Sequence, residues 1–258
     1  MTTSIATPMQ SLINKVPEVT LSFWIIKMMS TTVGETAADF LNADMKLGLT
    51  GISLVMGALL VVALFFQIRA RRYVPSLYWL TVALISVFGT LITDNLTDHL
   101  GMPLVASTAV FSFALLAVFA VWYAREGTLS IHHIDSVPRE SFYWLAILVT
   151  FALGTAAGDW FAEGLQLGYA NSALVFGGAI AIVAAAHYVL KVKAVLCFWV
   201  AYILTRPFGA SLGDLLSQPH ANGGLGLGAA GTSAVFLGTI VTLVAYLSVA
   251  QERSRRLG

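Results

Sequence analysis

Four carboxylates stand where a membrane-spanning chain has least reason to keep charge. Asp39, Asp94, Asp159 and Asp214 each lie near the end of a long apolar run, and Glu35 sits one helical turn before the first of them. Ionisable groups in such runs are costly in lipid and face a cavity, a partner or an ion. Their oxygens are hard ligands, suited to small cations and to divalent metals that prefer oxygen. Helix capping does not account for them, because a C-terminal helix end disfavours a negative charge. If the four meet around one axis they repel each other, unless a cation, protons or basic groups offset the field. Asp98 and Glu163 repeat the acid one turn later in two of the copies. A competing reading gives each Asp a local role, bonded to the amides of its own loop as in an Asx turn.

Two cations also fall inside apolar runs, Lys27 and Arg206. A cation in the middle of a bilayer costs about 2.5–3.5 kcal/mol on insertion scales, so each calls for a carboxylate or a water-filled space. Lys27 has the alternative of snorkelling to the membrane surface. Arg206 lies deeper and keeps its proton, which makes it the better candidate for an ion pair or a gating charge.

The aspartates belong to a repeat. The segments FWIIKMMSTTVGETAAD, YWLTVALISVFGTLITD, YWLAILVTFALGTAAGD and FWVAYILTRPFGASLGD share one frame: an aromatic residue, Trp, Gly ten positions on, and Asp five further. The frame residues are Trp24, Gly34 and Asp39; Trp79, Gly89 and Asp94; Trp144, Gly154 and Asp159; Trp199, Gly209 and Asp214. Along a helix, Trp and Asp are about 22 Å apart and within about 60° of one side, while Gly points about 140° away from Asp. Trp therefore reads as an interfacial anchor or a packing residue. Gly reads as a close-packing position, with a helix break as the alternative at Arg206-Pro207.

These residues need elements to position them, and the composition supplies them. Of 258 residues, 10% are charged and 58% hydrophobic, against roughly a quarter charged in a soluble domain. Eight apolar runs, near 19–41, 48–68, 76–97, 103–124, 140–162, 169–190, 194–216 and 227–250, are each long enough to cross a bilayer as a helix. The fold class expected is an all-α polytopic membrane protein with eight transmembrane helices in four parallel two-helix repeats. Repeats at about 19–72, 73–131, 136–192 and 193–251 would form one transmembrane domain over 19–251, flanked by an N-terminal segment 1–18 and a tail 252–258. No cleavable signal peptide is evident at the start.

Charge sets the orientation. Of 14 Lys and Arg, eleven fall on the side that holds both termini, Lys46 stands alone opposite, and Lys27 and Arg206 are inside the runs. An excess of Lys and Arg marks the cytoplasmic side, so both ends are expected there. The single cysteine, Cys197, excludes an intramolecular disulfide.

On these residues the chain resembles the bacterial membrane proteins built of four tandem two-helix repeats, each with a marked Trp, known as a repeat of unknown function. The resemblance spans about Lys15 to Gln251 and implies the repeat count and a bacterial inner-membrane location. It implies no activity.

The function expected is transport or export of a small cation, with a divalent metal as one class, along the axis relating the repeats. Asp39, Asp94, Asp159 and Asp214, with Glu35, would bind the ion and provide any metal ligands; Lys27 and Arg206 would pair or gate. A passive cation channel and a non-transporting membrane scaffold are the alternatives. No nucleophile–base set, nucleotide loop or HExxH helix is present, so neither an enzyme nor a cofactor is expected. The partners expected are the lipid bilayer and the cation, with no nucleic acid; an oligomer is compatible with the sequence. His187 reads as a packed residue or a proton relay, and the GGLGLG run at 223–228 as a flexible start to the last helix.

Overall fold

The computed structural model describes residues 14–44 and 48–257. Residues 1–13, residues 45–47 with Lys46 among them, and Gly258 lie outside the described residues. Among the described residues eight α-helices follow in order: α1 (Leu21–Asp44), α2 (Gly48–Arg69), α3 (Pro75–Asp94), α4 (Leu104–Glu126), α5 (Val137–Asp159), α6 (Gly168–Tyr188), α7 (Ala194–Ser217) and α8 (Ala229–Leu257). No strand occurs among the described residues. The expected tail is a continuation of α8, which stays helical to Leu257.

Local signals place these ends. Proline opens α3, where a missing N–H costs nothing. Ser136 caps α5 through the Arg139 amide. Gly127 ends α4 at φ 68°, a left-handed conformation that glycine adopts without strain. Beyond their aspartates, α3 and α5 run on into π turns, Asn95–His99 and Trp160–Gly164. Such turns are rare and gather at functional sites.

Seven of the helices, α2 to α8, are long and apolar enough to cross a membrane. The exception is α1, which has the length but carries Lys27, Glu35, Asp39 and Asp44. Its neighbours explain how it keeps them. Helices α1, α3, α5 and α7 pack side by side in a closed inner ring, α1 against α3, α3 against α5, α5 against α7 and α7 against α1. The even helices form an outer layer, each leaning on the inner helix of the next repeat, and α8 closes the circle on α1. Burial separates the layers: 56–61% of the apolar spans of α3, α5 and α7 are buried, against 11–17% in the outer helices. Polar side chains thus collect on the inner ring while leucines, valines and phenylalanines cover the rim, the distribution a bilayer requires.

The repeat glycines make the inner ring tight. A Cβ at Gly34 would run into Ser86, at Gly154 into Arg206, and at Gly209 into Thr31; at Gly89 it would come within 2.7 Å of the Phe151 Cβ. In every case the obstructing residue belongs to the next repeat, three positions before its own glycine. The helix continues through Pro207, so the break considered for Arg206-Pro207 is not formed.

The repeat tryptophans close a second ring at the other end of the bundle. Each stacks edge-on with the aromatic residue before it, at 5.1–5.3 Å between ring centroids. The preceding aromatic then touches the next repeat's Trp: Phe23 with Trp79, Tyr78 with Trp144, Tyr143 with Trp199, and Phe198 with Trp24. Trp79, Trp144 and Trp199 are buried, so they pack inside the bundle and do not anchor at a lipid interface.

Below this aromatic ring the N-terminal segment crosses from repeat one to repeat three. The buried Lys15 ammonium donates to Glu140 Oε2 (2.7 Å) and to the Ile68 carbonyl (2.8 Å). Gln67 and Trp144 also donate to Glu140. A buried carboxylate with three donors is well satisfied.

Candidate cation site

The four aspartates sit at the same repeat position of four parallel helices that share one axis, so their side chains converge at one end of the bundle. They line a single cavity of about 340 Å³ together with Glu35, Asp98 and Glu163. No Lys or Arg among the described residues lines it. The carboxylates are graded in depth: Asp98 and Glu163 exposed, Asp39, Asp94 and Asp159 half-buried, Glu35 and Asp214 buried. The π turns carry the two exposed acids to the mouth.

None of the four aspartates has a hydrogen bond or ion pair among the described residues. The local Asx-type bonding weighed from the sequence is therefore not formed. Oxygens of Glu35, Asp159 and Asp214 lie within 4.8 Å of one another. Oxygens on opposite sides of a Ca²⁺-sized ion, each 2.3–2.6 Å from it, are about 5 Å apart, so this trio is spaced to share one cation.

Arg206 lies beneath the cavity, behind Glu35. It is fully buried, eight residues and about 12 Å of helix below Asp214. Its Nη1 donates to Glu35 Oε2 (3.0 Å) and to the Thr31 carbonyl (3.5 Å), and its Nη2 to Thr155 Oγ1 (2.6 Å) and Thr90 Oγ1. One side chain of repeat four thus reaches all three other repeats, which requires it to lie at the axis. Glu35, Thr90 and Thr155 share a single repeat position, the residue after the frame glycine; repeat four has Ala210 there.

Lys27 lies deeper still. It is fully buried, so it does not snorkel, and no carboxylate pairs with it among the described residues. Its Nζ donates to Thr205 Oγ1 (3.2 Å) and faces the rings of Phe151 (4.4 Å) and Tyr202 (4.3 Å). Two electron-rich ring faces partly replace the water that an ammonium loses. Past them, the Tyr78 and Tyr143 hydroxyls meet at 2.5 Å in the aromatic ring.

Sequence reading found the acids and the two cations but missed Thr90, Thr155 and the Phe151–Tyr202 pair. The signal for the threonines was present, since they align with Glu35 in the repeat frame. Two other features fall away from the site. His187 Nδ1 lies 3.2 Å from the Val192 carbonyl at a helix end. The glycine run folds into turns with φ of 82°, 72° and 76° at Gly223, Gly226 and Gly228, so it is fixed backbone geometry more than looseness.

The fold defines a multi-pass membrane protein made of four tandem two-helix units around an acidic cavity. The chain belongs to the family described as Repeat of Unknown Function (DUF347), whose repeat matches four times, over residues 22–73, 77–128, 142–193 and 197–253. Each match begins two residues before a frame Trp. No curated protein and no solved structure matches the chain.

Proposed function

We propose that this protein is a transporter of a small cation, with a divalent metal ion the best-fitting class, and that the ion binds in the acidic cavity. One observation carries the reading: four aspartates with no hydrogen-bond or ion-pair partner among the described residues converge on one cavity with three further acids. An unpaired carboxylate away from bulk water is unfavourable, and a bound cation is the simplest group that offsets four of them. Hard oxygen donors favour Mg²⁺-, Mn²⁺- or Ca²⁺-like ions over soft thiophilic ones.

Under this reading all eight helices span the membrane of a bacterial cell, both termini are cytoplasmic and the acidic cavity opens outward. The excess of Lys and Arg in the loops on the aromatic side supports that orientation. The polar α1 spans as well, since the other inner helices and α8 shield its charges from lipid.

Arg206 and Lys27 favour a transporter over an open cation channel. The Arg206 guanidinium and the Lys27 amine stand in line beneath the carboxylates, and a cation moving straight along the axis would meet both. Conduction needs sites that are easily left as well as entered, and this path offers a barrier where an alternating-access mechanism offers a closed gate.

The test is Mn²⁺ uptake by proteoliposomes holding the purified protein, followed with an entrapped metal-sensitive dye. Saturable uptake is expected, and loss of it in the D39N/D94N/D159N/D214N variant. Uptake that rises linearly with concentration points to a channel or a leak. A folded protein with no uptake, or a quadruple variant with uptake intact, leaves the scaffold reading standing.

A further inference from the structure

The floor of the cavity contains a conflict over one carboxylate. Glu35 belongs to the trio of oxygens spaced for one cation, with Asp159 and Asp214, yet in this structure its Oε2 accepts the Arg206 guanidinium at 3.0 Å and the Thr90 hydroxyl at 3.4 Å. We propose that Arg206 is a tethered competitor for the transported cation, and that the ion occupies the Glu35–Asp159–Asp214 trio only by taking Glu35 away from Arg206.

Three observations build this. Asp214 is 8% exposed, borders the cavity and has no partner among the described residues, so the trio is incomplete as it stands. Arg206 keeps a seat without Glu35: its remaining acceptors are Thr155 Oγ1, Thr90 Oγ1 and the Thr31 carbonyl, and Phe151 lies 5.4 Å from its guanidinium carbon. All of these are neutral, so they hold the guanidinium without matching its charge. Finally, the position is asymmetric where the repeats are symmetric. The residue after the frame glycine is an acid only in Glu35, and the frame position that faces it is basic only in Arg206.

The consequence is reciprocal, as any coupling between two binding events must be. Whatever the ion gains from Glu35, Arg206 loses. Arg206 directly precedes Pro207, which leaves α7 one backbone hydrogen bond short at this level.

This inference rests on the cation-binding reading, and one experiment separates their failures. Mn²⁺ binding to detergent-purified protein is measured by the loss of the free-ion electron paramagnetic resonance signal. The proteins compared are the wild type, R206Q, E35Q, E35Q/R206Q and the quadruple Asp-to-Asn variant. R206Q should bind more tightly than wild type by about fivefold or more, within the usual range of coupling between sites. In the E35Q background, removing Arg206 should change the dissociation constant by less than about twofold, because nothing is left to compete for.

An equal gain in both backgrounds means that Arg206 acts only as a nearby like charge, which overturns the competition while leaving the metal site intact. So does unchanged or weaker binding in R206Q. Absence of Mn²⁺ binding in wild type, or binding undiminished in the quadruple variant, overturns the cation site itself. If R206Q is not recovered folded, R206K carries the comparison. It keeps the charge but cannot span Glu35, Thr90 and Thr155 at once, so tighter binding supports the proposal and an unchanged constant refutes it.

Discussion

Arg206 and Lys27 are both fully buried, but they are held in opposite ways. Arg206 has a carboxylate and three neutral acceptors; Lys27 has one hydroxyl and two ring faces. Burying an amine without a counter-charge is unfavourable whether it keeps its proton or gives it up, so Lys27 is expected to lower the stability of the fold it sits in. Methionine has nearly the same shape and no charge. Lys27→Met is therefore expected to raise the stability of the ion-free protein, by roughly 1–3 kcal/mol, seen as a higher melting temperature in detergent. Transport should fall in the same variant. A lower melting temperature would mean that the Thr205 and aromatic contacts outweigh the burial cost, and that Lys27 is a structural residue.

Among the elements, the inner helices depend on glycine at their crossings. A Cβ at Gly89 meets the Phe151 side chain at 2.7 Å and the backbone nitrogen of Ala152 at 3.2 Å, and backbone cannot swing aside. Gly89→Ala should destabilise the protein by about 1–3 kcal/mol, the usual cost of overpacking. Gly178, on the exposed side of outer helix α6, has nothing within 4 Å of its would-be Cβ. There Gly→Ala should be neutral or stabilising by up to about 1 kcal/mol, since alanine favours the helix. Thermal unfolding of the two variants side by side checks the layer assignment. Equal effects would mean that the inner crossings are looser than they stand here. The glycine spacing was legible in the sequence, and so was a packing role. Which neighbour each glycine meets was not, because the 3.6-residue period gives a direction on one helix and says nothing about the helix that lies there.

For the whole molecule, four parallel copies around an axis give the bundle two unlike ends. One gathers acids in a cavity; the other is sealed by the aromatic ring, with the Lys15–Glu140 pair tying the N-terminal segment to repeat three beneath it. Under the proposed function, the side that opens is the acidic one. The proposed orientation puts that side outside the cell, and reporter fusions test it. Alkaline phosphatase joined after Gly258 should be inactive and green fluorescent protein at the same site should glow, as only the cytoplasmic side permits. The reverse pattern would turn the cavity towards the cytoplasm and make export, with loading from within, the natural direction.

The sequence by itself determined the order of the long helices and their fourfold frame, because lipid demands long apolar helices and duplicated units keep their spacing. It also singled out the acids and the two internal cations, since charge is conspicuous in apolar runs. Only the tertiary structure decided who meets whom. Glu35 faces Arg206 and not only its own neighbour Asp39, Lys27 lies between two rings, and the tryptophans turn inward. These are contacts between segments 50 to 180 residues apart, and they are set by the closure of the ring, where the last helix returns to the first.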